Sequence, residues 1–264
     1  MLLELLQDAG YRGELSAKSR YMKGLLPLLG GQFALDILKH PDILRLFSNA
    51  QIRKGTSYTL SQLAQIAVPG AGHERFLGQM KTLAGSGTLI RGYRLQCPTC
   101  DLDTWYPLDV VGERVTCEGC RIPFQLPLAL DFAFRPNRLL IEALKSGALT
   151  VLLTLNHWLH DYPVTVWQSN IDIQQEAMST DIDLLVQRED GLYMAECKDN
   201  FDDSLAGIRD VEAQLAIGKD IAKDIGATFV FATLYDAPLP TMLQNYLDKH
   251  EIVTLTRDDL LSVG

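Results

Sequence analysis

The sequence predicts an α/β fold, and three observations carry that prediction. After Asn137, segments of helical period alternate with segments of strand period, and an Asp-Gly turn joins two of the strands. Hydrophobic residues make up 47% of the 264-residue chain, enough to bury a sizeable core. Four of the five cysteines form two C-x-x-C pairs ahead of the alternating segment, which marks a small module of a different kind.

In chain order, residues 1–56 read as a helical N-terminal region. The stretches ELLQDA, KSRYMKGLLPLLG and FALDILKHPDILRLF carry apolar residues at helical spacing, interrupted by Gly and Pro. From Thr59, TLSQLAQIA reads as a helix, Pro69-Gly70-Ala71-Gly72 as a turn, HERFLGQMKTLAGSG as a second helix and TLIRGYRLQ as a strand bent at Gly92. This order over 57–96 resembles a winged helix, which serves either DNA contact or packing against protein. Three prolines in RIPFQLPLALDFAFRPNR then mark the passage to a domain spanning 128–264. Its expected order is helix 138–160 broken near Gly147, strand 163–173, strand 181–188, a turn at Glu189-Asp190-Gly191 and strand 191–198. Helix 203–225, strand 227–234, helix 239–249 and strand 251–256 follow.

Cys97-Pro-Thr-Cys100 and Cys117-Glu-Gly-Cys120 are separated by 16 residues, a spacing typical of zinc sites. The segment 97–127 resembles a zinc ribbon, with Gly119 letting the second knuckle turn and Trp105, Tyr106 and Val115 forming a hairpin between the knuckles. Four thiolates fill a tetrahedron and leave no open position for substrate, so the expected Zn²⁺ is structural.

A net charge of −9 excludes a protein whose whole surface grips phosphate. Residues 1–56 hold 8 basic and 5 acidic residues, residues 57–130 hold 6 of each, and residues 131–264 hold 10 basic against 22 acidic. Nucleic-acid affinity is therefore expected in the first half. No uncharged apolar run reaches the roughly 18 residues a membrane span needs. Glu4 and Asp8 interrupt the opening MLLELLQDAG, so a cytoplasmic protein without membrane contact is expected.

The stretch TDIDLLVQREDGLYMAECKDN, residues 180–200, holds the candidate chemistry. Strand alternation puts Asp181, Asp183 and Leu185 on one face, with Ile182, Leu184 and Val186 on the other. In the next strand it groups Met194, Glu196 and Lys198. Carboxylates on largely apolar strands must be solvated, paired or bound to an ion. A hard divalent cation would satisfy Asp183 and Glu196 together.

Asp183 followed by Glu196-Cys197-Lys198 resembles the D…(D/E)-x-K signature of the PD-(D/E)XK nuclease superfamily. The order helix, three-strand meander, helix, strand over about 138–256 is similar to its restriction-endonuclease-like αβββαβ core. The resemblance implies metal-dependent phosphodiester hydrolysis, with DNA expected ahead of RNA and the choice between them left open by the sequence. Asp183, Glu196 and the Cys197 main-chain carbonyl would hold Mg²⁺ or Mn²⁺, and Lys198 would orient or deprotonate the attacking water. It further implies a supporting Gln214 on the following helix, an upstream carboxylate for which Glu142 is the one acid on the first core helix, and a homodimer; the acidity of residues 131–264 adds the expectation that the basic first half, a second subunit or a partner protein delivers substrate. The domain mixture resembles restriction and anti-phage defence effectors. A second reading is a non-catalytic nuclease-like scaffold acting as an adaptor through the ribbon and winged helix.

Gly207, Val211, Gln214, Gly218 and Ile221 share one face of that following helix, which Asp202, Asp203 and Ser204 are placed to N-cap. His40, His73, His157, His160 and His250 form no ligand spacing, and Cys197 is expected to pack as a small hydrophobe.

Overall fold

The computed structural model describes residues 1–68, 73–175 and 178–262; the expected turn at Pro69-Gly70-Ala71-Gly72 lies outside them. The N-terminal elements are α1 (Leu2–Asp8), β1 (Arg12–Leu15), α2 (Ala17–Leu28), a 3₁₀ helix (Gln32–Lys39), α3 (Pro41–Ser48) and α4 (Ala50–Arg53). The middle of the chain holds β2 (Tyr58–Thr59), α5 (Leu60–Ala67), α6 (His73–Gly85), β3 (Leu89–Gln96), β4 (Asp103–Pro107), β5 (Arg114–Thr116), β6 (Pro123–Gln125) and β7 (Phe132–Pro136). The last part holds α7 (Arg138–Lys145), α8 (Ala148–Asp161), β8 (Val164–Gln175), β9 (Met178–Arg188), β10 (Gly191–Lys198) and α9 (Leu205–Asp224). It ends with β11 (Thr228–Thr233), α10 (Thr241–Lys249), β12 (Val253–Leu255) and α11 (Arg257–Leu261).

A mixed six-stranded sheet in the order β1-β8-β9-β10-β11-β12 organises the larger part. Strands β1, β8, β9 and β10 pair antiparallel, whereas β10, β11 and β12 pair parallel. Both faces are covered. Leu184, Val186, Ala195, Cys197, Val230 and Ala232 share a core with Leu149, Leu152 and Leu153 of α8. Leu185, Met194, Phe229 and Phe231 share the other with Ile208, Val211, Leu215 and Ile221 of α9. The alternation expected in β9 holds from Leu184 to Val186, but Ile182 falls in the second core, beside Ile171, Ile173 and Leu6. Asn170, in the left-handed region at φ 51°, lies between Ser169 and Ile171, and there the β8–β9 ribbon changes the core it faces.

Local chemistry explains most boundaries. Thr59 and Gln62 close a capping box at α5, Asn137 caps α7 by accepting from the Leu139 N–H, and Ser204 caps α9 by accepting from the Gly207 N–H at 3.2 Å. The helix expected over 138–160 breaks at Gly147, whose φ of 76° suits glycine, and α7 and α8 meet there at 89°. No single helix among the described residues is long and apolar enough to cross a membrane, and α7 and α8 bury Leu144, Leu149 and Leu153 in the core.

Residues 1–56 depart from the purely helical expectation. β1 adds the edge strand of the large sheet, pairing with β8 from Arg12↔Gln174 to Leu15↔Ile171. α2 packs on α7 and β8, and the first 3₁₀ helix packs on α8. A four-residue strand with exposed Arg12 and Glu14 leaves too short a trace for periodicity to reveal.

A second sheet, β2-β7-β3-β4, follows α5 and α6. Its β3–β7 pair occupies the place of a wing, with the cysteine segment inserted between the two strands. The hairpin expected between the knuckles does not form. Instead β3 pairs with β4 across the first knuckle and β5 with β6 across the second, so each C-x-x-C is itself a hairpin turn. Gly92 is not a bend but an interior strand position opposite Pro107 and Ala133. A Cβ there would run into the Tyr106 carbonyl oxygen and lie 2.7 Å from Trp105 Cε2. Gly92→Ala is therefore expected to cost about 3 kcal/mol or more, by the logic of overpacking, and to lower the melting temperature in thermal denaturation.

Candidate active site

The ladder between β9 and β10 runs from Gly191↔Arg188 to Ala195↔Leu184, while β10 stays paired with β11 through Lys198↔Thr233. The last residues of β10 thus lean on β11 alone, and a fork opens beside β9. Asp183 fills it: Oδ2 accepts the Cys197 N–H at 2.8 Å, replacing the missing ladder bond. Across the fork, Lys198 Nζ pairs with Glu196 Oε1 at 2.6 Å, with the two side chains 26% and 12% exposed. Alternation along β10 places these two on the face that Met194 presents to α9, and their charges reach Asp183.

Burial raises the Asp183 carboxyl to about 7, and the nearby charge of Glu196 adds to this, against the pull of the Cys197 N–H and the Lys198 ammonium. Burial also raises Glu196, opposed by Lys198. For Lys198, burial favours the neutral form, but Glu196 outweighs it and holds the amine above its ordinary value.

Several supporting groups are invisible to local sequence reading. Asp181, at the mouth of the fork, pairs with Lys18 of α2 at 3.1 Å, and Lys18 also lowers Glu196. The buried Asn170 donates from Nδ2 to the Asp183 carbonyl at 3.4 Å. Just past β10, Asp199 accepts from the Thr150 N–H at 3.0 Å and from its hydroxyl at 2.8 Å, and pairs with Arg53 at 3.0 Å. The candidate strand is thereby tied to the first turn of α8 and to α4. A cavity of about 510 Å³ opens at this end of β10, lined by Arg53, Asp199, Asn200 and Tyr235. Asp183, Glu196 and Lys198 do not line it.

The structure does not bring every expected residue together. Glu142 pairs with Lys145 at 3.5 Å and lines a cleft with Trp105, outside the Asp183 cluster, so the upstream-ligand assignment is corrected. It lies on α7, and the 89° break separates that helix from α8, which packs on the sheet. Gln214 is exposed, one turn before Gly218, where α9 approaches Met194 and Phe229. The buried face of α9 is carried instead by Ile208, Val211, Leu215 and Ile221. Cys197 turns its thiol toward Thr154 Oγ1 at 3.8 Å, on the α8 side of the sheet.

Cys97, Cys100, Cys117 and Cys120 converge, with all four sulfurs within 4.8 Å of one another. The Cys97–Cys120 and Cys100–Cys117 separations are 3.7 and 3.6 Å. Four thiolates at about 2.3 Å from one tetrahedral centre lie close to this spacing, so the cluster fits Zn²⁺. The residues that turn the knuckles are Asp101 and Arg121, at φ 57° and 62°, and the Thr99 N–H points at Cys97 Sγ. Gly119 has a different part from the one expected: its missing Cβ leaves room for Leu102, whose Cδ2 would lie 2.7 Å away. A small core of Leu95, Tyr106, Val115 and Phe124 completes the module.

No family model matches the chain, and no curated protein does. Among solved structures, protein VC1899 from Vibrio cholerae aligns over 98% of this chain at 15% identity, with a TM-score of 0.50. What the two share is the fold. Can2 from Sulfobacillus thermosulfidooxidans, solved in complex with cyclic tetra-adenylate, aligns over 96% of this chain at 11% identity, with a TM-score of 0.43. The chain spans 58% of the VC1899 chain and 56% of the Can2 chain, a little over half of each.

Proposed function

We propose that this protein is a Mg²⁺- or Mn²⁺-dependent nuclease that hydrolyses phosphodiester bonds, DNA before RNA, at the β9–β10 fork. The observation that carries the reading is the convergence of Asp183, Glu196 and Lys198, with two partly desolvated carboxylates on one face of adjacent strands and the lysine 2.6 Å from Glu196. A carboxyl pushed to about 7 by burial and by a second carboxylate is short of positive charge, and a hard divalent cation suits such a donor set. Asp183, Glu196 and the main-chain carbonyl of Cys197 are the groups that would hold it. When bound, the ion supplies a water of lowered pKa and positive charge beside the scissile phosphate.

The residues of the chain do the remaining work. Glu196 holds the Lys198 ammonium within the fork, where it is placed to orient the attacking water and to offset charge on the phosphate. Asp183, fastened by the Cys197 N–H, keeps its carboxylate from rotating out of the fork. Asn170 and the Asp199–Thr150 contacts hold the two strand ends in register with these groups.

The test is incubation of plasmid, linear DNA and RNA with the protein in Mg²⁺ or Mn²⁺, beside Lys198→Ala and Glu196→Gln. Each substitution is expected to slow cleavage at least about 100-fold, the usual effect of removing one group that stabilises developing charge. Equal behaviour of wild type and both variants on every substrate would transfer the protein to the adaptor reading.

A further inference from the structure

The cations of this acidic chain are not spread evenly. Four exposed ones, Lys54, Arg135, Arg138 and Lys145, line a single cleft of about 380 Å³ between the wing sheet and α7. Its acidic residue is Glu142, already engaged by Lys145 at 3.5 Å. Lys54 and Arg138 form no ion pair among the described residues. Like charges gathered beside one another repel, and a chain of net −9 had ample carboxylates with which to neutralise them.

The same cleft contains an immobilised aromatic ring. Trp105 lies across Gly92, and its indole N–H donates to the Ala133 carbonyl at 3.1 Å, which fixes one edge of the ring on the wing sheet. The Arg135 guanidinium sits 5.5 Å from the ring centre and donates from Nε to the Gly55 carbonyl at 3.2 Å. Trp105 and Arg135 also line a neighbouring cleft of about 490 Å³, where Arg94 pairs with Asp103 and Glu118 adds a carboxylate, so the ring stands between two adjoining hollows and the clustered cations lie on the Lys54 side of it. Such a surface suits a chain-like polyanion that passes over the ring.

We propose that this cleft binds single-stranded nucleic acid, with Trp105 as the platform for an unpaired base and Lys54, Arg135, Arg138 and Lys145 as contacts to the phosphates. A single strand offers both a free base face and a phosphate at every residue, whereas a duplex hides its base faces in the stack. The cations come from two separate stretches of sequence, Lys54 and residues 135–145, and three of the four belong to the strongly acidic half of the chain. The assignment is independent of the Asp183 fork and concerns binding alone.

The experiment is fluorescence anisotropy of labelled single-stranded DNA, single-stranded RNA and duplex DNA with the zinc-loaded full chain, in buffer free of Mg²⁺ and Mn²⁺ so that cleavage does not interfere. One or both single strands are expected to bind at least about tenfold more tightly than the duplex, and the comparison of the two identifies the sugar preferred. Joint Lys54→Glu and Arg138→Glu substitution, at exposed positions that carry no packing, is expected to weaken binding about tenfold or more and to flatten the salt dependence. Trp105→Phe should retain binding that Trp105→Ala loses, with circular dichroism checking that the wing stays folded in both. Failure of both single strands to bind, unchanged affinity in the charge-reversed variant, or preference for the duplex would overturn the proposal. Because the assay contains no Mg²⁺ or Mn²⁺, binding at the cleft is read without cleavage at the fork, and failure of one proposal is distinguishable from failure of the other.

Discussion

Asp183→Asn is expected to melt several degrees above the wild type at pH values above about 7 in buffer free of Mg²⁺ and Mn²⁺, and to have lost metal-dependent hydrolysis. Folding raises this carboxyl from an ordinary value of about 3.9 to about 7, first by burial and then by the charge of Glu196. A raised acid favours the folded state in its protonated form, so its contribution is complete below about pH 4 and is lost as pH rises through about 7. Above that window the protein holds an ionised, poorly solvated carboxylate beside another. Asparagine copies the protonated form, keeps an oxygen to accept the Cys197 N–H, and carries no charge. Thermal melts of both proteins across this pH range check the point. Added Mn²⁺ should close the gap by raising the wild type and leaving the variant where it was. Equal melting of the two proteins above pH 7, or equal stabilisation of both by Mn²⁺, would remove the fork as a metal site. On the proposed reading, the same residue costs stability without the ion and would serve as its ligand, a trade-off of stability against function.

Removal of zinc is expected to unfold the ribbon outright. The module's own core is Leu95, Tyr106, Val115 and Phe124 with the buried Cys97 and Cys117, too little apolar surface to hold two short hairpins together. Zinc bound by such thiolate clusters contributes on the order of 10 kcal/mol of folding free energy. Cys117→Ser should therefore abolish stoichiometric zinc in elemental analysis and open residues 97–127 to protease. The damage should extend to the wing, because β4 is a strand of both the first knuckle's hairpin and the β2-β7-β3-β4 sheet. It should spare the six-stranded sheet, whose two cores contain none of the four clustered cysteines. A chelated protein whose ribbon resists protease as well as the zinc form would contradict this account. By carrying away Trp105, ribbon unfolding should also weaken the single-strand binding assigned to the cleft.

Whatever is local was legible in the sequence. The β9–β10 hairpin follows from period-two alternation and an Asp-Gly turn, the break of the first core helix from Gly147, and the metal cluster from the spacing of four cysteines. Glu196 and Lys198 were placed on one face because residues two apart in a strand always are. The mixed α/β class followed from the alternation of these same elements.

Only the tertiary structure could decide what distant segments do to one another. It seated Arg12–Leu15 at the edge of the large sheet, bonded Asp183 to the Cys197 N–H and brought Lys18 to Asp181. Glu142 went to a cleft beside Trp105, and Gln214 was left on the surface. Gly92 became a seat for an indole rather than a bend. Each of these depends on contacts between residues far apart in the chain. Such contacts obey packing and charge compensation rather than any period, and so leave no regular trace along the sequence.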